Sequence, residues 1–108
     1  MTLPEIATRL QNEPDIPPQE LGIMHSWCAG EFSFLAGRME VVLAQKPAEW
    51  LRLRKDSQST AEAENRWRIT AFGIEEMQLR LRMKALEKIL SSLKSRIYIN
   101  KADSMHVM

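Results

Sequence analysis

Residues Ser59 to Asn100 carry two apolar seams at helical spacing, and this restricts what the chain can fold into more than any other feature. Leu79, Met83, Leu86, Leu90, Leu93 and Ile97 alternate at intervals of four and three. That heptad pattern lines side chains along one face towards a partner helix. Trp67, Ile74, Met77, Leu81 and Ala85 form a second line. Leu79 and Leu81 are two residues apart, hence about 200° apart around a helix axis. The spacing therefore predicts one helix over 59–99 that is apolar on two sides and has more than one neighbour. A hairpin covers one side, and a second copy of the chain would cover the other. The expectation is a dimer, with Trp67, Ile74, Met77, Leu81 and Ala85 as its self-association surface.

Upstream, Thr2 and Glu5 have capping-box spacing, and Leu3, Ile6, Ala7 and Leu10 share one face of a short helix. Pro14, Pro17 and Pro18 end that helix and leave a bent connector, because proline lacks the N–H a helix interior needs. Pro18 suits a first helical position. Leu21, Met24, Cys28, Phe32, Leu35, Met39 and Val42 then recur every three or four residues as a core stripe. Gly22, Gly30 and Gly37 weaken this helix by up to ~1 kcal/mol each, or let another helix approach closely. Pro47 predicts a restart or kink, and Ser59 with Glu62 repeats the capping-box spacing. The predicted fold class is all-α: a helical hairpin of two long helices plus a short N-terminal helix, associating into a dimeric bundle. The organisation is one domain over 1–108, with a short helix and Pro-rich connector at 1–17 and a first long segment at 18–56 kinked near Pro47. The second long helix spans 59–99, followed by a flexible tail at 100–108.

The 44% hydrophobic content suffices for a core, and 27% charged residues argue against disorder. A net charge of +1 excludes a globally basic or acidic protein, yet the charge is unevenly placed. Residues 1–20 hold Arg9 against Glu5, Glu13, Asp15 and Glu20, whereas 66–101 hold nine basic residues against Glu75, Glu76 and Glu87. With no signal peptide, no run near the ~20 apolar residues of a membrane span, and one cysteine, the reading is a cytoplasmic protein of a bacterial host cell without membrane contact. His25 and Cys28 share a helix face, but no third group orients the histidine, and the thiol reads as a small buried apolar residue. Glu75 and Glu76 point about 100° apart and form no dyad. Metal-ligand spacing and a Gly-rich phosphate loop are both missing. The chain reads as a non-enzyme with no cofactor, metal or small-molecule substrate.

The functional signal is a basic ridge. Arg80, Lys84 and Lys88 lie at i, i+4 and i+8, with Arg66, Arg68, Arg82, Lys94 and Arg96 on the same element. Such a ridge neutralises phosphates, and Trp50, Trp67 or Tyr98 would supply stacking surfaces. The competing reading is a solvated face balanced by pairs such as Glu76–Arg80.

Ala63-Glu64-Asn65-Arg66-Trp67, Gly73-Ile74-Glu75-Glu76-Met77 and the run Lys84 to Lys94 resemble small helical proteins encoded by tailed bacteriophages among replication and recombination genes. The resemblance spans residues 51–97 and brings no catalytic residues. It implies a phage or prophage origin and a role in DNA metabolism or in binding a host protein. Joined to the basic ridge read from the spacing, the first reading is an accessory protein acting by binding in DNA replication or recombination, with Arg80, Arg82, Lys84, Lys88 and Lys94 set against phosphates. The alternative is an inhibitor or adaptor that docks the same residues on an acidic host protein, such as a nuclease or antiviral defence complex, without touching nucleic acid.

Overall fold

The computed structural model describes residues 1–107, with side chains described from 1 to 101. The chain is all-α, built from α1 (Leu3–Asn12), α2 (Pro18–Lys55), α3 (Thr60–Arg68) and α4 (Ala71–Val107). It divides into two compact units, one formed by 1–33 with 84–108 and the other by 34–83. The helices α2 and α4 each contribute a stretch to both.

In the first unit, α1 begins with a complete capping box. The Thr2 hydroxyl accepts from the Glu5 N–H (3.3 Å), and the Glu5 carboxylate accepts from the Thr2 N–H (3.1 Å). Ile6, Ile16, Leu21, Met24, Cys28, Leu86 and Leu93 form the buried core. The carbonyl end of α1 is closed from across the unit. The Arg96 guanidinium donates to the Glu13 carbonyl (2.7 Å) and to that of Leu10, placing a cation at the negative end of the helix dipole. Arg9 bridges Glu13 (2.7 Å) and Glu20 (3.0 Å), which fastens the connector to the start of α2.

In the second unit the buried core consists of Leu35, Met39 and Val42 of α2, Ala63 and Trp67 of α3 and Leu79 of α4. Arg38 grips Glu75 through two hydrogen bonds (2.5 and 2.8 Å), tying α2 to α4.

Three boundaries differ from the sequence reading. The helix α2 runs through Pro47 to Lys55 without a restart. Pro47 cannot donate to the Leu43 carbonyl, but both residues are exposed, so water can take that acceptor. Residues 59–99 are not one rod, because Ile69 and Thr70 separate α3 from α4. Thr70 is the reason: its hydroxyl donates to the Trp67 carbonyl (2.6 Å) and accepts from the Gly73 N–H (3.0 Å), ending one helix and capping the next. The helix α4 continues to Val107, past the tail predicted from residue 100, and Met108 lies outside the described residues. Gly22, Gly30 and Gly37 accommodate no close helix, since a Cβ there would meet nothing within 4 Å. Ser59 caps α3 as expected, accepting from the Glu62 N–H (3.1 Å), but the Glu62 carboxylate takes the Gln58 N–H instead of closing the box.

Candidate functional site

The junction between α3 and α4 requires a residue without a side chain at position 73. A Cβ on Gly73 would stand 1.8 Å from the Trp67 carbonyl oxygen and 3.0 Å from the Arg68 Cα. The glycine thus lets the first turn of α4 sit on the last turn of α3. This contact carries the fully buried Trp67 indole towards Glu76, whose carboxylate accepts the indole N–H at 2.8 Å.

Glu76 is only 7% exposed and sits among donors. Its other oxygen accepts from Arg80 (3.0 Å) and Lys46 (3.4 Å). The Lys46 ammonium lies 5.5 Å from the centre of the Trp67 ring and 3.6 Å from Glu64, and Glu64 accepts the Trp50 indole N–H (2.9 Å). Burial pushes the Glu76 carboxyl up, but the bonds from Trp67 and Arg80 and the charges of Lys46 and Arg80 outweigh it and hold the group below the ordinary carboxylate value. A groove of about 410 Å³ opens beside this cluster between Lys46, Arg68, Met77 and Arg80. Every buried side-chain nitrogen and oxygen among the described residues has a hydrogen-bond partner. The cluster therefore explains itself as structure, holding α2, α3 and α4 of this unit together.

These contacts redistribute the predicted site. Trp67 is core, not a self-association or stacking residue, because its indole N–H has a buried acceptor. Ala85 is half-buried and belongs to the first unit. Of the five predicted self-association residues, Ile74 (42% exposed), Met77 (52%) and Leu81 (64%) remain on the surface. They span about 60° around α4, opposite the buried Leu79 and Glu76. Arg80 leaves the open ridge through its pair with Glu76, Arg66 pairs with Glu62 (3.0 Å), and Arg96 closes α1. Trp50 is half-buried and bonded to Glu64.

Arg82, Lys84, Lys88 and Lys94 are exposed, and no carboxylate among the described residues lies within ion-pair distance of them. Arg82 lies in the second unit and the three lysines in the first. In the first unit the outer face of α4 carries Lys84, Lys88, Ser91, Ser95 and Tyr98 within about 80° of arc, opposite the buried Leu86 and Leu93. Every one of these side chains can donate a hydrogen bond. Sequence reasoning found the lysines but not Ser91 and Ser95, although their i+7 and i+11 spacing from Lys84 marks the same face. On the flank, Lys94 and Ser91 take part in both of two shallow grooves, one bounded by His25, Ala29, Phe32 and Leu90 and the other by Ser95, Tyr98 and Ile99.

The Cys28 thiol is buried and pushed up by desolvation and by Glu31, so it is a poor nucleophile. Among the described residues, no group of three His, Cys, Asp or Glu side chains stands close enough to hold a metal ion, and no helix is long and apolar enough to cross a membrane. No family model, curated protein or solved structure gives a significant match to the chain.

Proposed function

We propose that this chain is a non-enzymatic accessory protein of DNA metabolism that binds nucleic acid through the outer face of α4 in its first unit. The observation that carries the reading is the pair Lys84 and Lys88, one helical turn apart, exposed and free of carboxylate partners among the described residues. Their Cα atoms rise about 6 Å along the axis, and Lys94 follows about 9 Å further on. Ser91, Ser95 and Tyr98 add neutral donors to phosphate oxygens, and the 74%-exposed Tyr98 ring offers a base a stacking surface. With three lysines at the contact, affinity should fall with salt at a logarithmic slope of about −2 to −3. A role in a phage or prophage, in replication or recombination, rests on the resemblance of residues 51–97 alone.

The test is anisotropy with short single- and double-stranded oligonucleotides across a salt series. Replacing Lys84 and Lys88 by alanine should reduce the slope by roughly 1.5 and weaken all sequences alike. Absence of binding to either form at low salt would remove the reading.

Glu87, exposed on the flank of the same face, favours a second reading. A carboxylate beside lysines repels a phosphate backbone but can pair with a cation on an acidic protein surface. The chain would then be an inhibitor or adaptor of a host protein. Nuclease-resistant retention of one acidic host protein, lost with Lys84→Ala and Lys88→Ala, would favour it.

A further inference from the structure

We propose that the nucleic acid taken by the first unit is single-stranded, with one unstacked base seated in the groove between α2 and α4 and its exocyclic amine donating to Glu87. The inference rests on the nucleic-acid reading above and names the form of the ligand. The groove, of about 440 Å³, is walled by His25 and Phe32 of α2 and Leu90 of α4, all half-buried, and is completed by the exposed Glu87, Ser91 and Lys94. Both helix stretches belong to this unit. The volume falls within the range of clefts that take small flat ligands. Inside a duplex the faces of each base are covered by its neighbours, so rings recessed between two helices are out of its reach. A base freed from its stack can lie against Phe32 and His25.

The order of groups along α4 fits a strand. Glu87, Lys94 and Tyr98 lie within about 40° of arc, spaced about 10 and 6 Å along the axis. A base beside Glu87 brings its phosphate towards Lys94. The next base then reaches the exposed Tyr98 ring, in a second groove of about 500 Å³ that shares Ser91 and Lys94 with the first. Glu87 sets the chemistry at the base. It has no ion-pair partner among the described residues. Towards a phosphate its charge is repulsive, but towards a base edge it is an acceptor. The N4 amine of cytosine and the N6 amine of adenine donate to a carboxylate, whereas thymine presents O4, a second acceptor, at the same edge. A duplex backbone would use the lysines and leave Phe32, His25 and Glu87 without a partner.

Anisotropy at low salt with labelled oligo-dC, oligo-dT and a blunt duplex, each of about ten nucleotides, tests the proposal. Oligo-dC should bind at least about 10-fold tighter than the duplex and about 5- to 10-fold tighter than oligo-dT. Glu87→Gln should abolish the preference for dC over dT, because the amide offers thymine O4 a donor. Phe32→Leu keeps apolar volume but loses the flat ring. It should weaken single strands about 5-fold or more and leave the duplex unchanged, with circular dichroism reporting intact helicity. A duplex bound as tightly as oligo-dC, a Glu87→Gln chain that binds every ligand more tightly by the same factor, or a Phe32→Leu chain that binds like wild type would overturn the inference. Each of these leaves phosphate binding by Lys84 and Lys88 standing. Absence of binding to all three probes would remove both readings.

Discussion

The two units use the helix α4 in opposite ways. In the first, Leu86 and Leu93 point inward and Lys84, Lys88, Ser91 and Ser95 point out, the usual division for a helix on a core. In the second, a carboxylate is buried and Ile74, Met77 and Leu81 are left outside. Heptad spacing is continuous through both stretches, so apolar periodicity alone does not say which seam of a two-sided helix faces in. The choice in the second unit follows from Trp67. A buried indole N–H needs an acceptor, since leaving it unpaired costs on the order of 1–3 kcal/mol. Glu76 supplies that acceptor only if its own face of α4 turns inward, and the Ile74–Leu81 face then points away. Where the first unit seals polar backbone with Arg96 at its edge, the second brings charge into its middle and leaves apolar side chains exposed.

That contrast can be broken most severely at Trp67. Trp67→Ala removes the largest fully buried side chain and orphans Glu76. It should cost about 3–5 kcal/mol in denaturant unfolding, with hydrogen exchange rising first in residues 34–83. Gly73→Ala comes next. Its Cβ meets a backbone carbonyl that cannot rotate away, so α3 and α4 must part. A loss of about 3 kcal/mol is expected, and survival of wild-type stability would show that the corner is not tightly closed.

Glu76→Gln sharpens the comparison through pH. The carboxyl of Glu76 is held below its ordinary value in the folded chain, so it binds protons more readily when unfolded. Its contribution is fully present above the ordinary carboxylate range and is lost as pH falls through the folded value. The variant should lose about 2 kcal/mol at neutral pH and show a flatter acid limb in thermal unfolding. An acid limb identical to wild type would mean that Lys46 and Arg80 do not hold the charge.

In the first unit, Arg96→Ala should cost only about 1 kcal/mol, seen as faster exchange in α1 with the rest unchanged. The smallest effect has the opposite sign. Gly30 is exposed and helical, with open space where a Cβ would go, so Gly30→Ala should raise stability by about 0.5–1 kcal/mol. A destabilisation there would reveal a partner resting on α2.

The legible parts of the molecule are those set by neighbours in the chain. The Thr2–Glu5 cap, the start at Pro18 and the stripe Leu21, Met24, Cys28, Leu35, Met39 and Val42 follow from local hydrogen bonding and a repeat of 3.6 residues. The inward seam Leu79, Leu86 and Leu93 follows the same way. Thr70 was also a readable cap. It was hidden because Ser59 already offered a start and the apolar spacing ran on past it. Among the site residues, the lysines were visible by spacing, but whether each had a partner was not. Arg80, Arg96 and Lys84 look alike in sequence, yet one binds a buried carboxylate, one closes a helix 86 residues away, and one is open.

What the sequence determined by itself is therefore helical class, the main caps and two apolar seams, because these depend on contacts three or four residues apart. The tertiary structure alone decided which seam became core, which cations stayed free and where 59–99 breaks. Those outcomes turn on single long-range demands, such as the acceptor for the Trp67 indole and the space at Gly73, that no local pattern encodes.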